Sequence, residues 1–464
     1  MKMLTPLKGL LLLVAAYVLY VALTCTLVPI FGNRASLDAA LAAPTPSEAA
    51  ERVACIDDNT DALIWRLRVI ESAQQELVLS SFEFDDDSSG RDMLATLKQA
   101  ADRGVHVRIL LDGLRGQLSL LESPHFQALA AHKNIEIRLY NPINLLKPWE
   151  INYRMHDKYL IADDQVYLLG GRNTMDLFLG DYQDVKNIDR DVLVYNTTPD
   201  KPSSLSQVKA YFENTWALPC CRAAFERPQN ERDTSLLELD SHYKMLPAFF
   251  PTAFEETDWI GSTMPAGEVR FLSNPNQKQV KDPQLWKSLC TAMTHGEDVV
   301  IQTPYIICSR EMYQGLDTLT DKDTRVQIIT NAVEAGANPW GCTDYLNHKK
   351  KILNTGVEVF EFIGEHSLHA KAILIDDRYS IIGSFNMDMR SAYLDTETML
   401  VIESPELNAR LQSEISSDMT ESVHVFPDGT EIAGENYEPI TLSTGKQLIY
   451  SLLRLLIIPF RHLL

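Results

Sequence analysis

The stretch MHDKYLIADDQVYLLGGRNTMD, residues 155–176, decides the fold, because the chain contains it twice. Residues 368–388 read LHAKAILIDDRYSIIGSFNMD. Both copies carry His, one residue, Lys, four residues, Asp, six residues, Gly, a small residue, one residue and Asn. The first set is His156, Lys158, Asp163, Gly170, Gly171 and Asn173. The second is His369, Lys371, Asp376, Gly383, Ser384 and Asn386. Matching positions at fixed spacing mark an internal duplication.

The flanks repeat too. Residues 76–84, 105–111 and 135–140 are apolar, β-rich runs, with helical periodicity over 61–74 and 90–103. In the second half a helix pattern at 284–293 precedes strand patterns at 298–307, 325–330 and 357–362. Helix and strand alternate, so the expected fold class is α/β, with helices on the faces of a sheet in each half. The expected divisions are an anchor at 9–31, a linker at 32–58, a first repeat at 59–196 and a connection at 197–276. A second repeat at 277–420 and a tail at 421–464 follow. In the connection, FERPQNERD (225–233) and the aromatic, proline-rich HYKMLPAFFPTAFEETDWIG (242–261) read as surface chain or as an apolar lid.

Residues 9–31, GLLLLVAAYVLYVALTCTLVPIF, carry no charge and are long enough to cross a bilayer. They read as an uncleaved single-pass anchor in the cell membrane. Lys2 and Lys8 before the run give a slight bias toward a cytoplasmic N-terminus and an extracytoplasmic catalytic part. The closing GKQLIYSLLRLLIIPFRHLL (445–464) reads as an in-plane membrane helix over 446–464, with docking on the core as the competing reading.

The net charge of −21 argues against a nucleic acid partner, whose phosphate backbone needs a basic face. The seven cysteines form no disulfide framework and no metal-ligand spacing. One bridge, Cys55 to Cys220 or Cys221, stays open for an exported domain. No metal and no cofactor are expected.

The chemistry follows from the repeated residues. Residues two apart on a strand share a face, so His156 and Lys158 project together, as do His369 and Lys371. Two imidazoles, two ammonium groups and the amides of Asn173 and Asn386 suit a phosphodiester. The cations and amides stabilise non-bridging oxygens, one imidazole attacks phosphorus, and the other protonates the leaving oxygen. Asp163 and Asp376 complete the pattern at strand ends, where a structural part is expected of them. Each imidazole needs a carboxylate on its other nitrogen. Asp191 is expected to serve His156, with Asp189 as the alternative, and Glu397 to serve His369. His132, His242, His295, His348 and His366 read as structural.

The doubled H-x-K-x4-D-x6-G-[GS]-x-N resembles the phospholipase D superfamily. The strings RMHDK, GGRN, LHAK and IGSFNMDMRS with Thr396-Glu397 resemble bacterial cardiolipin synthases, nearest the C type. The resemblance covers roughly residues 61–403. It implies two pseudo-symmetric α/β/α repeats with the site at their interface, a phosphohistidine intermediate and no metal. It also implies His156 as nucleophile, His369 as general acid and base, and phospholipid substrates at a membrane. Asp164 and Asp377 stand where relatives commonly have Gly. Gly171 stands where many have Ser, while Ser384 keeps that hydroxyl for a phosphate contact. The reaction expected is phosphatidyl transfer to a lipid alcohol such as phosphatidylglycerol. Hydrolysis of phospholipid, a nuclease of the same superfamily and a silent membrane scaffold are the alternatives.

Overall fold

A computed structural model of the protein describes residues 6–36, 47–225 and 233–464. The first helix, α1 (Pro6–Phe31), stands largely exposed and is long and apolar enough to cross a membrane. Two nine-stranded sheets make the body. The first draws on β1 (Glu51–Ile56), β2 (Glu76–Ser81), β3 (His106–Asp112), β4 (Ile135–Tyr140), β5 (Tyr159–Ala162) and β6 (Val166–Gly170). After a short β7 (Asn187–Ile188) come β8 (Asp191–Asn196), β9 (Cys221–Ala223) and β10 (Met264–Pro265). The second half supplies β11 (Glu268–Ser273), β12 (Asp298–Gln302), β13 (Arg325–Asn331), β14 (Glu358–Phe362) and a short β15 (Ser367–Leu368). It ends with β16 (Ala372–Ile375), β17 (Tyr379–Gly383), β18 (Thr398–Glu403), β19 (Ser422–Val425) and β20 (Glu431–Ala433).

The strand orders superimpose. The run β1-β8-β6-β5-β2-β3-β4-β9 in one sheet matches β11-β18-β17-β16-β12-β13-β14-β19 in the other. The duplication is therefore of whole sheets. Strands β5 and β6 are buried along their full length, as central strands covered on both faces should be. One apolar cluster fills the outer layer of each half. A third, with Val78, Tyr159 and Leu193's neighbours Val192 and Val194 from one half and Val300, Phe360 and Leu400 from the other, joins them.

Strand pairing moves the expected boundaries. The helix Ser204–Trp216 and β9 complete the first sheet as the helix Pro405–Thr420 and β19 complete the second. The first repeat thus runs on past 196, while β1 begins inside the expected linker and β11 before 277. Linker residues 37–46 and most of FERPQNERD (226–232) lie outside the described residues. Of the lid segment, Phe250, Phe254 and Trp259 pack on the outer core of the first half, and Trp259 stacks on Tyr195 at 5.6 Å. That segment covers the outside of a domain.

The cysteines are free, so Cys55 bridges neither Cys220 nor Cys221. The topology forbids it. Six strands lie between β1 and β9, a separation of about 33 Å at the usual strand spacing, far beyond disulfide reach.

Candidate functional site

The two motif aspartates build the scaffold. Asp163 and Asp376 take left-handed backbone, with φ of 52° and 50°, in the turns after β5 and β16. Asp163 accepts from the amides of Gln74, Gln75 and Glu76 at 2.8, 2.9 and 2.8 Å. Asp376 accepts from Glu297 and Asp298 at 2.9 and 3.0 Å. The left-handed turn costs about 1–2 kcal/mol, and two or three charge-assisted hydrogen bonds exceed that. The turn's strained residue is thus the motif Asp itself, and Asp164 and Asp377, where Gly was expected, need no special backbone. These aspartates tie the β5–β6 and β16–β17 hairpins to the strands beside them and touch neither imidazole.

The histidines are held from across the interface. Met155 forms a parallel bridge with Thr396, and the His156 amide donates to the Thr396 hydroxyl at 3.1 Å. In the other half β15 pairs with β7, and the His369 amide donates to the Ile188 carbonyl at 2.7 Å. Each imidazole then meets a carboxylate from the opposite repeat. His156 Nδ1 lies 3.0 and 3.1 Å from the two oxygens of Glu397. His369 Nδ1 lies 2.6 Å from Asp189 Oδ2.

This corrects the expected pairing. Glu397 orients His156 instead of His369, and Asp189, not Asp191, is the first repeat's acid, orienting His369 instead of His156. Sheet register explains the second point. Gly170 sits opposite Asp191, whereas its counterpart Gly383 sits opposite Met399. Two residues back, Asp189 matches Glu397. Asp191 instead pairs with Arg66 at 2.9 Å and Arg172 at 3.3 Å, wholly buried.

The neighbours of each acid differ. Ser384 donates to Glu397 and accepts from the Thr398 amide at 3.0 Å, which fixes its proton on the carboxylate. It is therefore not free for the expected phosphate contact. Ser391 donates to the other oxygen at 2.6 Å. Gly171 occupies the place of Ser384, and a Cβ there would lie 2.2 Å from Asp189 Oδ1. A glycine beside the aspartate and a serine beside the glutamate are thus matched pairs.

Lys158 donates to the His156 carbonyl at 2.6 Å, and the Lys371 ammonium lies 2.6 and 3.2 Å from the ring nitrogens of His369. Phe82 and Phe178 set ring edges against His156 and His369, at 5.1 and 4.9 Å between centroids. Asn173 donates to Glu83 at 3.1 Å and Asn386 to the Tyr305 hydroxyl at 3.2 Å. Both side-chain carbonyls are buried without a protein partner.

Burial and the lysine charges govern the protonation states. They push His156 well below the usual imidazole range and His369 down to about 4. Burial brings Lys158 and Lys371 down to about 8. It also pushes Glu397 up to about 8, against Lys158 and the two serine hydroxyls. Burial works against ionisation of Asp189 as well, but Lys371, His369 and Arg172 hold it down to about 2. The signals missed in the sequence are Ser391, Phe82, Phe178 and Arg390. Of these, Arg390 and Ser391 lay in a quoted string, IGSFNMDMRS.

Residues 67–216 and 289–419 match the family described as "Cardiolipin synthase, PLD-like domain". The chain belongs to that family. It is an enzyme of the phospholipase D type, a phosphatidyltransferase. Cardiolipin synthase C of Escherichia coli (strain K12) is 29% identical over 398 residues, covering 76% of this chain and 81% of that one. A cardiolipin synthase of Clostridium perfringens (strain SM101 / Type A) is 25% identical over 357 residues, covering 75% and 66%. The crystal structure of the phosphatidylserine synthase of Haemophilus influenzae Rd KW20 shares the fold, with a TM-score of 0.62. It is 15% identical and covers 92% of this chain and 98% of that one.

Proposed function

We propose that this phosphatidyltransferase makes cardiolipin through a covalent phosphohistidine, with His156 as nucleophile and His369 as general acid and base. The observation that carries this is the pair of crossed contacts, His156 with Glu397 and His369 with Asp189. Each carboxylate takes Nδ1 and so directs Nε2 to the chemistry, with the Lys371 ammonium 3.2 Å from His369 Nε2. Both oxygens of Glu397 already receive serine hydroxyls, so they accept from His156 Nδ1–H, and the lone pair sits on Nε2.

In the first half-reaction His156 Nε2 attacks phosphorus of the donor phospholipid. The bond from phosphorus to the head-group oxygen breaks, and the imidazolium of His369 protonates that oxygen. In the second, an acceptor hydroxyl such as that of phosphatidylglycerol gives its proton to His369. Its oxygen attacks phosphorus, the P–N bond breaks, and His156 returns to neutral. Free His369 is neutral at pH 7. A bound phosphodiester anion raises its basicity, and Asp189, already ionised, steadies the imidazolium. Lys158 and Lys371 hold the non-bridging oxygens, assisted by the second N–H of Asn173 and Asn386.

The anchor reading places α1 across the cell membrane with the catalytic body outside the cytoplasm, so that substrate arrives by lateral diffusion. Purified protein incubated with labelled phosphatidylglycerol, with and without phosphatidylethanolamine, tests the proposal. Labelled cardiolipin is expected, and none from His156→Ala. Release of phosphatidic acid alone would mean that water is the acceptor. Unchanged product from His156→Ala would refute the nucleophile.

A further inference from the structure

The loop between β4 and the short 3-10 helix Pro148–Asn152 exposes a cluster of apolar side chains next to α1. Leu145 and Leu146 are 69% and 83% exposed, and Ile143 and Ile151 are exposed beside them. The loop is fastened to α1. The Tyr17 hydroxyl donates to the Leu145 carbonyl at 2.8 Å and the Tyr20 hydroxyl to the Leu146 carbonyl at 2.9 Å. Tyr20 also meets Trp149 edge-on at 6.5 Å.

Depth follows from helix geometry. The candidate span runs Lys8–Phe31. Between Lys8 and Tyr17 the helix rises only about 13 Å, less than half of a hydrocarbon core of about 30 Å. A bilayer crossed by α1 therefore encloses Tyr17 and Tyr20 and whatever they bind. Backbone groups in hydrocarbon need partners from the protein, and two amides and three carbonyls of this loop have them. Leu146 N donates to the Asn144 side chain at 3.0 Å, Lys147 N to the Asn144 carbonyl at 3.0 Å, and the two tyrosines serve Leu145 and Leu146.

The C-terminal segment joins the same side. His462 Nε2 lies 2.9 Å from the Thr26 carbonyl of α1. The helix Thr444–Leu456 buries Tyr450 and turns Leu448, Ile449, Leu452 and Leu455 outward. One face docks on the core, and the other is apolar and bare.

We propose that loop 143–147 sits inside the bilayer beside α1 and, with the bare face of the C-terminal helix, sinks the edge of the body that faces α1 into the hydrocarbon. This rests on the membrane reading above and adds where the body lies. Arg390 links this rim to the site. It donates to the Asn152 and Leu463 carbonyls at 2.8 and 3.2 Å and pairs with Asp395 at 2.9 Å. Its neighbour Ser391 holds Glu397. A lipid head group thus meets the site at the level of the membrane surface.

The full chain in vesicles containing phosphatidylglycerol with a diazirine in the acyl chain, followed by peptide mapping, tests this. Cross-links on the peptide holding Leu145 and Leu146 and on 448–460 are expected. Cross-links confined to α1 would overturn the proposal. The same mapping on His156→Ala needs no turnover, so a failed transfer reaction leaves it readable. A Leu145→Asp, Leu146→Asp variant should lose at least tenfold in turnover of vesicle lipid and keep that of monomeric short-chain phosphatidylglycerol. Equal turnover of vesicle lipid by variant and wild type would also overturn it.

Discussion

The two halves of the site carry the same residues in opposite electrostatic settings. His156 faces Glu397, which burial keeps up at about 8 among Asp157, Asp388 and Asp395. His369 faces Asp189, which Lys371, His369 and Arg172 keep down at about 2. Duplication supplied two equivalent imidazoles, and the neighbours made them unequal. Under the proposed roles, a permanently ionised partner suits the imidazole that holds a proton. A partner fixed by two serine hydroxyls suits the one that must present a lone pair.

Removing either imidazole should have the largest effect. His156→Ala is expected to lower kcat by about 10⁴-fold or more with any donor, and quenched-flow labelling should find no phosphoenzyme. The carboxylates separate the halves more finely. Asp189→Asn should lower kcat about 10²–10³-fold with a natural phospholipid but far less with a p-nitrophenyl phosphodiester, whose leaving group needs no proton. Glu397→Gln should impair both substrates alike. The reverse pattern would exchange the two roles.

The pH profile of kcat, with the bound phosphodiester holding the proton on His369, should be narrow and centred near 8. Its acid limb follows Glu397, pushed up to about 8, and its alkaline limb follows loss of protons from Lys158 and Lys371, also at about 8. Glu397→Gln should erase the acid limb only.

Stability distinguishes the halves most gently, and with opposite sign. Asp189 falls from 3.8 to about 2 on folding, so its contribution is present above 3.8 and lost as pH drops through 2. It amounts to about 2 kcal/mol at neutral pH, and Asp189→Asn should forfeit at least that. Glu397 rises from 4.5 to about 8, so its contribution is full below 4.5 and is lost as pH rises through 8. Relative to wild type, Glu397→Gln should therefore gain stability from pH 5 to 8. Urea denaturation at both pH values measures each.

Much of this was legible in the chain. His156, Lys158, His369 and Lys371 stood out because nothing structural demands identical polar residues at one place in two copies. The α/β class and the paired sheets followed from the order of apolar runs. Asp191 misled because, like Glu397, it introduces an apolar strand. Only the register opposite Gly170 and Gly383 shows the two-residue offset. The crossing of acids between halves is invisible in sequence, since separation along the chain carries no sign of which sheet a strand tip will reach. The depth of loop 143–147 was hidden for a similar reason. Leu145 and Leu146 look like any two leucines until the hydroxyls of Tyr17 and Tyr20 meet their carbonyls.

The bridge of Met155 to Thr396 and the pairing of β7 with β15 have a historical consequence. A single-repeat ancestor could have completed neither histidine alone. It would have worked only as a two-fold dimer, each copy lending its acid to the other. After fusion, inheritance ceased to enforce likeness between the two lenders. Asp189 with Gly171, and Glu397 with Ser384, record what that release allowed.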